Sequence, residues 1–143
     1  MKPLDIVLIE DEVSTIELLK EAFRDSGMNV DLEVHHNGDA ALKALRSRQG
    51  SPPQIILLDL NLPGKSGIDI LKELKQGRDT KVIPVIILTN SQSSEDVLRA
   101  YANHANAYIR KPMGFDQLVE VLNHTGKFWI EVATTPSEVN SKY

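Results

Sequence analysis

The feature that most constrains the fold of this sequence is the alternation of short apolar runs with longer amphipathic segments. The apolar runs occupy residues 4–9, 30–35, 55–58, 82–88 and 107–109. The first, third and fourth runs consist almost entirely of Ile, Leu and Val, which is typical of strands buried on both faces of a parallel sheet. Because Asp31 and Glu33 interrupt the second run, we expect that strand to lie at an exposed edge.

The segments between the apolar runs have the spacing of amphipathic helices. In the first segment Val13, Ile16, Leu19 and Phe23 share one helix face, and Gly27 follows as a stop signal. Strands that alternate with helices in this way predict β-α units joined by right-handed crossovers. The sequence therefore predicts an α/β fold, a flavodoxin-like doubly wound (βα)5 sandwich with a five-stranded parallel sheet in the order 2-1-3-4-5.

The length and composition favour one domain. We predict a domain at residues 1–133 with an extended final helix, which Gly126 would weaken, and a flexible tail at residues 134–143. The net charge is -4 and no apolar stretch approaches the ~20 residues that span a bilayer, so we expect neither a nucleic-acid partner nor a membrane. The absence of cysteine excludes disulfides and thiolate metal sites, and it fits a cytoplasmic location.

Chemically active side chains follow four of the predicted strands. Glu10 and Asp11 follow the first strand, Asp59 the third, Thr89 the fourth and Lys111 the fifth. In a sheet of the predicted order these four strands are consecutive neighbours, and ligands bind beyond their carboxyl ends. We therefore expect three carboxylates, one hydroxyl and one ammonium group to share a small cleft.

This set of groups points to phosphoryl chemistry. Clustered carboxylates repel one another unless a cation lies among them, and Mg²⁺ prefers such oxygen ligands. A lysine and a hydroxyl can hold a phosphoryl group, and an aspartate can attack phosphorus to form an acyl phosphate. Taken singly, Asp59 could be a turn residue before Pro63 and Lys111 a solvated surface lysine. Their coincidence at neighbouring strand ends favours one shared site.

These residues, together with the segment IILLDLNLPGKSG at 55–67, resemble the receiver domain of two-component response regulators. The resemblance covers residues 4 to about 125. It implies that Asp59 accepts a phosphoryl group from the phosphohistidine of a histidine kinase. It also implies a signalling protein that catalyses only its own phosphorylation and dephosphorylation, and is not an enzyme in the usual sense.

The resemblance further implies a role for each site residue. Asp11 and Asp59 would ligate Mg²⁺ directly, Glu10 would act through water, and the backbone carbonyl of Asn61 would be a further ligand. Glu10 stands where an aspartate is more usual, so its carboxylate reaches one methylene further.

Three more residues take roles in the phosphoryl site by this resemblance. Lys111 would pair with the phosphoryl group, the Thr89 hydroxyl would move to contact it, and Tyr108 would shift inward as part of the switch. The bond between Lys111 and Pro112 would be cis. Asn90 replaces the usual Ala or Gly, and we expect its larger side chain to narrow the path to phosphorus.

The C-terminal region carries a second resemblance. The run Phe128-Trp129-Ile130-Glu131, followed by Pro136, is similar to the ending of cyanobacterial-phytochrome response regulators. It implies a stand-alone receiver that takes phosphate from a phytochrome histidine kinase and forms a homodimer through the face of helix four, strand five and helix five. Only 18 residues follow Thr125, so we expect output through contact with a downstream protein, whose identity the sequence does not give, and no appended DNA-binding domain.

Two other functions fit the predicted fold less well. A phosphohydrolase of the haloacid-dehalogenase class would need a second aspartate two residues after its nucleophile, where this sequence has Asn61. A flavodoxin-like nucleotide binder would need a phosphate-binding loop after the first strand. The acidic residues Glu10, Asp11 and Glu12 at that position would repel phosphate.

Overall fold

Five parallel strands form one sheet in the order β2-β1-β3-β4-β5 in the computed structural model, which describes residues 3–139. The strands are β1 (Leu4–Ile9), β2 (Val30–His35), β3 (Ile55–Leu58), β4 (Val85–Thr89) and β5 (Ala107–Arg110). The predicted flavodoxin-like α/β fold and the edge position of β2 are therefore confirmed. No helix within the described residues has both the length and the apolar character that a membrane crossing requires.

Five helices pack on the two faces of this sheet. They are α1 (Val13–Ser26), α2 (Gly38–Arg46), α3 (Gly67–Gln76), α4 (Ser94–Ala102) and α5 (Phe115–Lys127). As predicted, α1 stops at Gly27, whose φ of 74° is a left-handed conformation that glycine adopts without strain. The side chains of Asn37, Ser66 and Ser93 accept hydrogen bonds from the first turns of α2, α3 and α4, so sequence-encoded caps fix where these helices begin.

The core consists of two apolar layers, one on each face of the sheet. On β1, Val7 and Ile9 pack into the layer under α2, α3 and α4, whereas Ile6 and Leu8 pack into the layer under α1 and α5. All four side chains are buried. The central strands are thus apolar on both faces, which explains why their sequences show continuous apolar runs without alternation.

The fourth strand begins later than the apolar run suggests. The run starts at residue 82, but β4 begins at Val85, directly after Pro84. Pro84 has no N–H to donate to a neighbouring strand, although its carbonyl accepts a hydrogen bond of 2.9 Å from the Ile56 N–H. The apolar residues Val82 and Ile83 therefore lie in the turn that precedes β4.

The final helix continues past its glycine. Gly126 is buried within α5, and the backbone runs on from α5 into a π turn at Phe128–Val132. A Cβ atom at Gly126 would overlap the sulfur of Met28, so the glycine makes room for a core contact. Gly126 does not interrupt the final helix, because packing against the rest of the protein outweighs the low helix propensity of glycine.

The aromatic pair at the start of the π turn divides between core and surface. The Phe128 and Trp129 rings form a T-shaped contact with centroids 5.2 Å apart. Trp129 is half-buried and packs against the layer under α1 and α5, whereas Phe128 is exposed. Trp129 therefore anchors the end of α5, and Phe128 presents its ring to solvent.

The segment after the π turn contacts the residue that precedes β3. Thr135 is buried, and a single 3-10 turn follows at Pro136–Glu138. The Gln54 side-chain amide donates to the Glu138 carboxylate at 3.1 Å, which ties this turn to the start of β3. The domain boundary at 133 and the flexibility of the tail stay predictions, and residues 140–143 lie outside the described part of the chain.

The half-buried Lys75 connects α3 with the segments before β4 and β5, at the end of the sheet opposite to the predicted site. The Lys75 ammonium group on α3 donates to the carbonyls of Lys81 and Ile83 at 3.2 and 2.9 Å, and to the Asn106 side-chain oxygen at 2.9 Å. That oxygen also accepts from the Val85 N–H at 2.9 Å. Burial lowers the pKa of Lys75, and its hydrogen bonds to the three oxygens offset part of that desolvation.

Replacing Lys75 with methionine tests this connection, because methionine keeps the apolar stem and removes the donors. We expect the free energy of unfolding to fall by about 1–3 kcal/mol, since the carbonyls of Lys81 and Ile83 lose a partner. Urea unfolding followed by circular dichroism measures the change. Lys72→Met is the matched control, because Lys72 is an exposed lysine on the same helix. Equal stability of the two variants would contradict the expectation.

Candidate functional site

The parallel sheet places the predicted residues together at the carboxyl ends of its strands. The Asp59 N–H donates to the Ile9 carbonyl at 3.1 Å, and Glu10 directly follows Ile9. On the other side of the cleft the Lys111 N–H donates to the Thr89 carbonyl at 2.8 Å. The hydrogen-bond pattern of the parallel sheet thus extends one residue beyond the strand ends, and it fixes the backbone from which each of these side chains projects.

Three carboxylates lie close together at these strand ends. One oxygen from each of Glu10, Asp11 and Asp59 lies within 4.8 Å of the others. Glu10 and Asp59 are buried, with 1% and 8% exposure, whereas Asp11 is more accessible. A donor set made only of carboxylate oxygens and open on one side suits a hard divalent cation that keeps several waters, such as Mg²⁺.

Lys111 lies inside the same cluster. Its Nζ is 2.9 Å from Glu10 Oε1 and 3.8 Å from Asp59 Oδ2, so it is closer to the glutamate than to the aspartate. The bond between Lys111 and Pro112 is not cis, since no cis peptide occurs within residues 3–139. That implication of the family resemblance was wrong for this structure. The flexible four-carbon stem of lysine lets the ammonium group reach the carboxylates from a trans bond.

The carboxylate of Glu10 has a protein partner on each oxygen. Oε1 accepts from Lys111, and Oε2 accepts from the Glu12 N–H at 3.2 Å. Burial raises the pKa of Glu10, and the hydrogen bond and charge of Lys111 act in the opposite direction. Glu10 therefore contacts Lys111 directly with one carboxylate oxygen and the start of α1 with the other.

The loop after Asp59 depends on a glycine whose role the sequence analysis missed. Asp59 Oδ1 accepts a hydrogen bond of 3.3 Å from the Asn61 N–H, and the Gly67 N–H donates to the Leu60 carbonyl at 3.1 Å. A Cβ atom at Gly67 would overlap backbone atoms of Asp59 and Leu60. The sequence gives little signal for this role, because glycine is common in loops and turns for many reasons.

Thr89 and Tyr108 are connected through a residue that the sequence analysis did not single out. Thr89 is fully buried, and its Oγ1 accepts from the Ser91 N–H at 3.4 Å. The half-buried Tyr108 donates its hydroxyl to the Ser91 carbonyl at 3.5 Å. Asn90, which lies between Thr89 and Ser91 in the sequence, is exposed. The effect of its size on access to phosphorus stays a prediction.

Comparison with known proteins gives the family. The sequence model described as the response regulator receiver domain matches residues 6–123. The response regulator Rcp1 of Synechocystis sp. is 37% identical over 139 residues, covering 94% of this chain and 95% of the relative. The probable methanogenesis regulatory protein FilR2 of Methanothrix harundinacea is also 37% identical, over 131 residues, covering 90% of this chain and 84% of the relative.

Solved structures give the same result for the fold. The phosphorylated cyanobacterial phytochrome response regulator RcpA superimposes with a TM-score of 0.86 at 35% identity, covering 95% of this chain and all of the other. The Mn²⁺-bound form of Rcp1 gives a TM-score of 0.81 at 37% identity, with 94% and 99% coverage. The matched family, the shared fold and the carboxylate cluster at the strand ends agree, and this chain belongs to the response regulator receiver domain family.

Proposed function

We propose that Asp59 of this chain accepts a phosphoryl group from the phosphohistidine of a histidine kinase in a Mg²⁺-dependent reaction. The observation that carries the proposal is the position of Asp59, buried between two further carboxylates and the ammonium group of Lys111. Burial among these groups suits a nucleophile that must be held in place beside a cation. Family membership supports the same role.

The step is a displacement at phosphorus. An oxygen of the Asp59 carboxylate bonds to phosphorus as the nitrogen–phosphorus bond of the phosphohistidine breaks, and the imidazole nitrogen leaves with the electron pair. Lys111 donates hydrogen bonds to the transferred oxygens, and the Thr89 hydroxyl turns to contact one of them. Asp11, Asp59, Glu10 through water and the Asn61 carbonyl would hold Mg²⁺, which when bound neutralises charge on the phosphoryl oxygens.

Phosphorylation by a small donor tests the acceptor directly. The full chain is incubated with Mg²⁺ and acetyl phosphate, and the intact protein is weighed by mass spectrometry. We expect wild type to gain one phosphoryl group and Asp59→Asn to gain none, because the amide is not a nucleophile towards phosphorus. Asp69→Asn is the control, since Asp69 is an exposed aspartate on α3. No gain in wild type would overturn the proposal.

Thermal unfolding with and without Mg²⁺ tests the metal site. A cation that binds only the folded chain adds about 2.7 kcal/mol to the free energy of unfolding at a concentration of about 100 Kd. We expect Asp11→Asn to lose most of this stabilisation and Asp25→Asn, an exposed change on α1, to keep it. Stabilisation of equal size in both variants would mean that Mg²⁺ binds elsewhere.

The output of the proposed switch is a protein contact on the face formed by α4, β5 and α5. Helix α4 exposes Leu98 and Tyr101 there, with 69% and 49% exposure. Exposed apolar side chains of this size fit a homodimer or a downstream protein, and phosphorylation would shift a pre-existing equilibrium between surface states. We place the protein in the cytoplasm, where a histidine kinase would present its phosphohistidine.

We further propose that the kinase is a phytochrome. The support is the similarity to RcpA, a cyanobacterial phytochrome response regulator, and the C-terminal segment that contains Phe128 and Trp129. FilR2, described as a probable methanogenesis regulatory protein, is as identical to this chain as Rcp1 is, at 37%, so the identity of the kinase needs its own test. We expect a phosphorylated phytochrome histidine kinase to transfer to Asp59 faster than an unrelated histidine kinase, measured by transfer of a radiolabelled phosphoryl group. Equal rates would contradict the phytochrome assignment and leave Asp59 as the acceptor.

A further inference from the structure

We infer that Ser91 is a positioning residue that couples the Thr89 hydroxyl to the first turn of α4. The inference rests on the proposed function, because it describes how a phosphoryl group on Asp59 would be read at the protein surface. Ser91 lies in the loop between β4 and α4, two residues after Thr89 and three residues before α4 begins.

Each polar atom of Ser91 contacts a different part of the molecule. Its N–H donates to Thr89 Oγ1 at 3.4 Å, and its carbonyl accepts from the Tyr108 hydroxyl at 3.5 Å. Its hydroxyl donates to Asp96 Oδ2 at 2.6 Å and accepts from the Ser93 N–H at 3.3 Å. One small residue thus contacts the buried hydroxyl of the site, the β5 tyrosine and the start of α4.

The contact to α4 is the strongest of these. A hydroxyl that donates to a carboxylate at 2.6 Å forms a charge-assisted hydrogen bond, which is roughly twice as strong as a neutral one. Asp96 is itself held in the first turn, because its N–H donates to the capping hydroxyl of Ser93 at 3.2 Å. Ser91 and the N-terminal turn of α4 are therefore expected to move together.

The contacts to Thr89 and Tyr108 are weaker, because they are long for hydrogen bonds. When the Thr89 hydroxyl turns towards a phosphoryl oxygen, the Ser91 N–H is released at small cost, and Ser91 stays attached to Asp96. A change at Thr89 is then passed to α4. Helix α4 also contacts β5, because the Tyr101 hydroxyl accepts a hydrogen bond from the Tyr108 N–H at 3.1 Å.

Hydrogen exchange of the α4 amides, before and after phosphorylation with acetyl phosphate and Mg²⁺, tests this coupling. Ser91→Ala keeps both backbone contacts and removes the two hydroxyl contacts, to the Asp96 carboxylate and the Ser93 N–H. We therefore expect the phosphorylation-dependent change in α4 exchange rates to fall about fivefold. Ser91→Thr retains the hydroxyl and should restore the change. Ser94→Ala, an exposed serine at the start of α4, is the matched control and should behave as wild type.

A double-mutant cycle separates coupling from general destabilisation. Asp96→Ala should reduce the exchange response about as much as Ser91→Ala does, and the double variant should reduce it little further, since both changes remove the hydrogen bond between Ser91 and Asp96. If Ser91→Ala does not fold, Asp96→Asn removes the charge and keeps an acceptor, and a partial loss is expected.

The intact mass of each sample identifies which idea fails. Absence of phosphoryl gain in wild type would overturn the proposed function. Normal phosphoryl gain in Ser91→Ala with an unchanged α4 response would overturn the role of Ser91 and leave the proposed function standing.

Discussion

Lys111 Nζ lies 2.9 Å from Glu10 Oε1 and 3.8 Å from Asp59 Oδ2, in a cluster that also contains Asp11. One ammonium group faces three carboxylates in a largely buried position, so the cluster carries excess negative charge when all three are ionised. Buried charges need opposite charges or hydrogen bonds nearby. A divalent cation would supply the missing positive charge. The proposed metal site therefore depends on the excess of carboxylates over ammonium groups in this cluster.

The sheet stabilises that cluster by fixing the backbone from which its side chains project. Asp59 and Lys111 each donate a backbone hydrogen bond to the residue that ends the neighbouring strand, Ile9 and Thr89 respectively. The backbone of Asp59 is therefore held beside Glu10, which follows Ile9, although the two carboxylates repel each other. The apolar layers on both faces of the sheet supply the stability that holds this arrangement.

Much of the fold could be predicted from the sequence, because burial on both faces of the central strands leaves continuous apolar runs. The start of β4 could not be read from such a run, since Val82 and Ile83 are apolar but precede Pro84, which cannot donate to a sheet. Likewise the cost of Gly126 in a helix is visible in the sequence, whereas its contact with Met28 depends on packing between distant segments.

The candidate site divides in the same way. Residues whose chemistry is unusual at a strand end, such as Asp59 and Lys111, could be found from type and position. Gly67 and Ser91 could not, because their roles depend on the folded structure. Gly67 leaves room for the backbone of the loop after Asp59, and Ser91 makes a set of hydrogen bonds in the loop after Thr89. Glycine and serine are common in loops for many reasons, so their types alone carry little information.

The backbone around Asp59 is therefore held more firmly than the loop that follows Thr89. Asp59 lies on backbone that is tied to β1 and closed by the tight approach of Gly67. Thr89 leads instead into a loop that its hydroxyl holds only through a long contact to Ser91. Under the proposed function, a phosphoryl group formed on Asp59 would act on the protein surface through this weak contact at Thr89. The inferred transmission towards α4 depends on the difference in strength between the Ser91 contacts to Thr89 and to Asp96.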